Sequence, residues 1–386
     1  MAYNSLYKEN GDFRTVIAWI AYFFINIVFC VKYNPFGEIK PLYIIVAYPV
    51  VVFGVHKLTS YLRVQQKNVF FLILAFLIMA LSCFLLYYID KWSLNVDRWS
   101  AIAFWSENLH HGRFPYGAQT HLGGYASPFP VWQILHYPFY LMGDTAYAEI
   151  FCLFIFFVCL FVWRTKINIG GFALLMLLSP AFWWEFAVRS DLLCNMLLVF
   201  IFIAAHFYHE RFWEKRKYLT ALIIGLFLCT KLLTAIPLFL FFFPRFLKYR
   251  GEEKVLAALT VFVGFALPFV PLLFGDKGLL AHPEYNPMFQ QTRQGNIWIV
   301  AGLAVLMLAC SLYWRKLRQL FFLAGLLLFG LIFAVGVNIL LNNGLDWKSL
   351  IFDDEFDKSY FNVSLPFFLF CINEAKEKIF RFSRSF

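Results

Sequence analysis

The sequence predicts an all-α protein, a polytopic transmembrane bundle of about 11–13 helices with short interfacial helices in its first long outer loop. Three observations carry this. Of 386 residues, 61% are hydrophobic and only 15% charged, against about 25% charged in a soluble domain. Apolar runs of near-spanning length recur along the whole chain, separated by short polar stretches. The basic residues between those runs alternate in density from one loop to the next.

The runs fall at 14–31, 42–56, 69–89, 145–163, 168–183, 190–208, 218–230, 232–244, 255–274, 297–314, 319–341 and 360–373. Pro180 interrupts the fifth, and Lys231 separates the seventh from the eighth. Several are shorter than the roughly 20 residues of a full crossing. With both termini on one side, that side comprises the N-terminus, the loops near 57–68, 164–167, 209–217, 245–254 and 315–318, and the C-terminus. It holds 22 of the 33 Lys and Arg but 8 of the 23 acids. The positive-inside rule makes this set cytoplasmic, termini included. The net charge of +10 is therefore a sign of topology, and nucleic acid is not an expected partner. The first helix is a full-length span after a polar start, so it is expected to stay in the membrane rather than be cleaved.

The chain reads as a single membrane domain over 1–386. It has a large non-cytoplasmic segment at 90–144 and smaller ones at 275–296 and 342–359. The aromatic content of 21%, with 50 Phe, suits lipid-facing helices and interfacial belts. Cys30, Cys83, Cys152, Cys159, Cys194, Cys229, Cys310 and Cys371 all lie in apolar stretches without a Cys-x-x-Cys pair. They read as small core residues, not as disulfides or metal ligands.

Chemistry is expected in VDRWSAIAFWSENLHHGRFPYGAQTHLGGYASPFPVWQILHYPFYLMGD, residues 96–144. Residues 97–109 read as an interfacial helix with Trp99, Phe104, Trp105 and Leu109 on its apolar side, ended by Gly112 and Pro115. A Gly/Pro-punctuated loop follows, then a second short apolar segment at 129–142. Asp97 lies at the mouth of the bundle, beside Arg98 and Trp99. A carboxylate there can take a proton from an acceptor hydroxyl. It can equally be a solvated charge at a helix end, and Asp90 is a nearby competitor.

The segment resembles the first outer loop of the GT-C-fold glycosyltransferases, polytopic enzymes that use polyprenyl-phosphate sugars, the mannosyltransferase-like members among them. The likeness rests on Asp97, the aromatic helix 99–109, the turn Gly112-Arg113-Phe114-Pro115-Tyr116 and the stretch Ser127-Pro128-Phe129-Pro130. SPAFWWEFAVRSD at 179–191 is similar to the family's Pro-broken helix turn, and TKLLTAIP at 230–237 to its Lys-bearing helix break. It covers roughly residues 69–245. Here two further helices precede the acidic residue, which many members place after their first helix.

The resemblance implies an inverting glycosyltransferase with Asp97 as general base. It would move a sugar from a polyprenyl-phosphate donor to a hydroxyl of a glycan, lipid or protein acceptor on the non-cytoplasmic face. One base suffices, because the lipid phosphate leaves without much protonation; the two-carboxylate rule of glycosidases does not carry over. The leaving phosphate needs cations. Arg189, Lys231 and Arg293 are the candidates. Against them, Glu185 and Arg189 are spaced to pair along a helix, Lys231 can snorkel to an interface, and Arg293 can be a solvated loop charge. Further substrate-binding candidates are Arg98, Arg113, Tyr116, Glu185 and Asp191. His110, His111 and His121 cluster without zinc-site spacing, so sugar hydroxyls are their expected partners and no metal or other cofactor is expected. The run Asp353-Asp354-Glu355-x-Asp357 reads as a solvated loop.

No Walker loop, dinucleotide glycine fingerprint or His-Glu-x-x-His is present. No cytoplasmic loop is long enough for a nucleotide-sugar domain, so an activated sugar has to arrive on a lipid. Two other readings stay open: a transporter or flippase for a lipid-linked sugar or similar amphiphile, and a non-catalytic subunit of a membrane assembly. Transporters often carry two similar halves, and the two halves of this chain show no correspondence.

Overall fold

The structure, a computed structural model, describes residues 13–33, 41–62, 64–274, 278–293, 295–352 and 356–374. Three helices come first: α1 (Phe13–Lys32), α2 (Pro41–Leu58) and α3 (Val64–Tyr88). Two short ones, α4 (Arg98–His110) and α5 (Pro130–Leu141), fill the long segment after them. The middle of the chain holds α6 (Tyr147–Val162), α7 (Ile169–Leu177), α8 (Pro180–Ala187), α9 (Leu192–Tyr208) and the brief α10 (Glu210–Glu214). Next come α11 (Lys217–Leu228), α12 (Ala235–Leu247), α13 (Gly251–Ala266) and α14 (Val270–Leu273). The last are α15 (Pro287–Thr292), α16 (Ile297–Tyr313), α17 (Leu317–Asn342), α18 (Trp347–Phe352) and α19 (Leu365–Asn373). The described residues contain no strand, only isolated bridges such as Gln119 with Tyr125. The fold class is all-α, as expected.

The apolar runs are helical where expected, but fewer of them are long enough to cross a bilayer than the dozen anticipated. By length and composition α1, α3 from Gln65, α13 continued to Leu273, and α17 qualify. A fifth is added if α7 and α8 count as one span bent by 65°. Six further apolar helices have 10–17 residues. At 1.5 Å per residue these reach at most about 26 Å, short of a hydrocarbon core of about 30 Å. The cause is local. At 168–183, expected as one helix, the Ser179 hydroxyl accepts from the Phe182 amide and Pro180 takes the first helical position of α8. A new helix starts there and the old one cannot continue. Between α11 and α12 the backbone of Lys231 is extended, with φ −152° and ψ 146°.

Large apolar side chains lie exposed around the bundle, among them Phe76 on α3, Phe262 on α13 and Val305 on α16. Water would penalise so wide an apolar surface, and hydrocarbon would not. These are the properties of a membrane protein.

The main core gathers α1, α3, α6, α7, α9, α17 and α19, with Phe200 stacked on Phe321 at 4.5 Å. A smaller core lies under α4 and α5, built from Trp105, Tyr116, Phe129, Cys229 and Phe269. It fixes the long segment on the bundle. The Phe129 and Val131 amides also donate to the Thr230 and Cys229 carbonyls, at 2.9 and 3.1 Å. The start of α5 is thus docked on the break between α11 and α12. Behind that break, α11 and α13 cross at Gly225 and Gly264, where a Cβ on Gly225 would lie 2.2 Å from the Val261 carbonyl oxygen.

Candidate functional site

Asp97 precedes the first residue of α4, yet its side chain does not cap the helix. Oδ2 instead accepts a 2.9 Å bond from the Thr120 hydroxyl. Thr120 belongs to a tight loop in which its amide donates to the Gly124 carbonyl at 2.7 Å, and the Gly124 amide donates to the Thr120 hydroxyl at 3.0 Å. Gly123 turns the loop with φ +84°, a value that favours glycine, and a Cβ on Gly124 would come within 3.0 Å of Asp97 Oδ2. His121 braces the same loop: Nδ1 bonds Ser100 at 2.7 Å and Nε2 the Leu94 carbonyl at 3.0 Å. Oδ1 of Asp97 has no hydrogen-bond partner among the described residues. The competitor Asp90 accepts from the Trp92 amide at 3.1 Å, capping the 3₁₀ turn 91–93.

Arg98 holds the wall beside Asp97. Its guanidinium donates to the Ser190 hydroxyl, Asp357 Oδ2 and the Ser359 hydroxyl, each at 2.5 Å. It also lies over the rings of Tyr360 and Trp184, 5.2 and 5.8 Å from their centroids. Three distant stretches of chain meet on this one side chain. Together with the C-terminal end of α1 they enclose a cavity of about 330 Å³, lined by Asp97, Arg98, Lys32, Asp357, Lys358 and Trp184 among others.

Burial raises the Asp357 carboxyl, but the Arg98 charge and the Ser359 hydrogen bonds outweigh this and hold it below its usual range. Its side chain is still 41% exposed, so solvent screens part of the attraction. With a lowered folded-state pKa, the stabilisation is complete above the ordinary carboxylate value of about 4. It is lost as pH falls through the lowered value. Asp357→Asn should therefore lower the unfolding midpoint near neutral pH, with the difference from wild type closing in strong acid. Thermal melts across pH check this.

The remaining candidates lie elsewhere. Tyr116 is fully buried, donating to the Pro128 carbonyl at 2.8 Å. Glu185 and Arg189 do not form the helix pair that their spacing allows, because α8 ends between them and Arg189 turns into the left-handed region at φ 56°. Glu185 accepts from Asn362 at 2.7 Å and from the Leu193 amide at 3.2 Å, in the first turn of α9. Arg189 reaches Asp144 at 3.3 Å and the Leu86 and Ile89 carbonyls at 2.8 and 3.0 Å. It thereby closes the C-terminal end of α3. Lys231 does not snorkel: it is buried against Asp191 at 2.9 Å, and Asp191 also accepts from the Trp132 indole at 2.5 Å.

His110 meets the Tyr137 hydroxyl at 3.1 Å, His111 the Glu107 carbonyl at 2.8 Å, and Arg113 the Glu107 carboxylate at 3.6 Å, all at the surface. Arg113 lines a second cavity of about 640 Å³ on the flank of α4. Arg293 is exposed after α15 and lines neither cavity. Among the described residues no three His, Cys, Asp or Glu gather as a metal would require. Asp353, Asp354 and Glu355 lie outside the described residues.

Sequence reasoning missed Lys32, Trp184, Asp357, Lys358 and Ser359 as cavity walls. The one signal for Asp357 was the acidic run, read as solvated. No protein family, no curated protein and no solved structure matches this chain.

Proposed function

We propose that this protein transfers a sugar from a polyprenyl-phosphate donor to an acceptor hydroxyl, inverting the anomeric centre, at the non-cytoplasmic membrane face. The supporting observation is that Asp97 lines the same cavity as Arg98, Lys32 and Lys358. Such a wall offers a base and cations to one ligand. Asp97 Oδ1 takes the acceptor proton while Oδ2 stays fixed by Thr120. The acceptor oxygen attacks the anomeric carbon, the bond from that carbon to the phosphate oxygen breaks, and the phosphate departs with the electron pair. The basic side chains oppose the charge it gains.

The test is Asp97→Asn in vesicles supplied with polyprenyl-phosphate hexose and pentose donors. Transfer should fall at least about a hundredfold, while Asp90→Asn transfers like wild type. Wild-type turnover in the Asp97 variant removes it from the mechanism.

The 65° break between α7 and α8 favours a second reading, a transporter or flippase for the lipid-linked sugar. Proteoliposomes that translocate such a lipid without covalent transfer would support it. A non-catalytic subunit is the weaker reading, because two carboxylates, Asp97 and Asp357, line the cavity.

A further inference from the structure

The second cavity differs in chemistry from the first. It is an open cleft of about 640 Å³ lined by the later turns of α4, residues of the 114–125 loop and the segment 282–285. Aromatic rings form part of its wall. Phe104 lines it from α4, and Tyr285 packs against Tyr125 at 4.8 Å and stacks with the His282 ring at 5.0 Å. Asn108 and Gln119 also line it. One amide nitrogen of each is committed, Asn108 to the Phe114 carbonyl at 3.2 Å and Gln119 to the Tyr125 hydroxyl at 3.2 Å. Those bonds fix each amide in orientation and leave its carbonyl oxygen to accept.

The arginine on this wall already has a carboxylate partner. Arg113 pairs with Glu107 at 3.6 Å, and His282 bonds Glu284 at 2.9 Å. A phosphate would meet the Glu107 and Glu284 carboxylates there, and a lipid tail would have to cover a salt bridge, a histidine–carboxylate hydrogen bond and two amides without replacing their water. A neutral polyol meets neither objection. Its C–H faces stack on aromatic rings, and its hydroxyls donate to amide carbonyls and carboxylates and accept from amide N–H groups.

We infer that this cavity binds a neutral oligosaccharide. Its role rests on the transferase reading: the saccharide is the non-reacting part of an extended acceptor. Asp97, just before α4, and Glu107 are ten residues apart, about 15 Å of helix rise, which is the distance an acceptor of several sugar units would have to extend from this cavity to place its end at Asp97.

Gly117 provides a clean probe. It lines the cavity, and a Cβ there would meet only Phe114 at 3.7 Å and Tyr285 at 4.0 Å, ordinary contact distances. A leucine at 117 therefore grows into the cavity without straining the backbone. The experiment is saturation-transfer NMR on the full chain in lipid nanodiscs, with maltotriose, cellotetraose, chitotriose and mannotriose as separate probes. At least one should show ring-proton saturation with wild type. Its apparent affinity should fall at least tenfold in Gly117→Leu and in Tyr285→Ala, and be unchanged in Gly302→Ala, a substitution on α16 that meets nothing within 4 Å and lines neither cavity. No saturation from any probe, or a signal that survives both cavity variants, overturns the proposal. Binding that persists in a protein showing no sugar transfer would sink the transferase reading and leave this site standing.

Discussion

Lys231→Met should lower the stability of the folded protein by about 3–5 kcal/mol, the cost of leaving one buried charge without its partner. Lys231 and Asp191 are both buried, 2.9 Å apart, and Asp191 takes a second bond from the Trp132 indole. Removing the ammonium leaves a buried carboxylate without its direct ion-pair partner. Replacing both partners is different in kind. In the double variant Asp191→Asn/Lys231→Met, the asparagine still accepts from Trp132 and no net charge is buried, so most of the loss should be recovered. Thermal unfolding in nanodiscs reads both variants. A single-variant loss under about 1 kcal/mol would falsify the view that this pair is desolvated.

Gly225→Leu should be nearly as damaging, at about 3 kcal/mol. A Cβ at 225 would lie 2.2 Å from the Val261 oxygen and 2.9 Å from the Gly264 Cα. The obstacle is backbone, so no rotamer change relieves it, and α11 and α13 have to separate. Because the break after α11 carries Lys231 and docks α5, the damage should reach the candidate site. Gly302→Ala is the control. It lies within α16, and a Cβ there meets nothing within 4 Å. Its unfolding midpoint should hold or rise slightly, as alanine favours helix. A Gly225→Leu protein that melts with that control would show the crossing to be loose.

The helices were legible in the sequence because hydrophobic runs and their polar interruptions are local properties. α4 and α5 fall within one or two residues of their expected bounds, since Gly112, Pro115 and Pro130 punctuate the chain whatever surrounds them. The split of 168–183 was signalled by Pro180, but not the angle it would take. Side-chain partnerships were much less legible. The four-residue spacing of Glu185 and Arg189 suggested a pair, but a left-handed turn at Arg189 sends the two side chains to different helices. Asp97 and Arg98 were legible as neighbours. Asp357 and Ser359 could not be joined to them, since nothing local marks a contact between residues 259 and 261 positions apart.

The corner at 189–191 also bears on the order in which the protein assembles. Its three consecutive residues reach three separate regions: Arg189 the end of α3 and Asp144, Ser190 the Arg98 guanidinium, and Asp191 the Lys231 ammonium. Arg98 in turn needs Asp357. Translation delivers these partners far apart in time, with the counter-charge for Arg98 arriving 259 residues after it. Closing so long a loop is slow and has to precede the reward of the contact. The first cavity is therefore completed late. Until residues 357–359 dock, a nascent chain already helical through α9 carries an arginine without its carboxylate partner, and its Asp97 faces an unfinished wall.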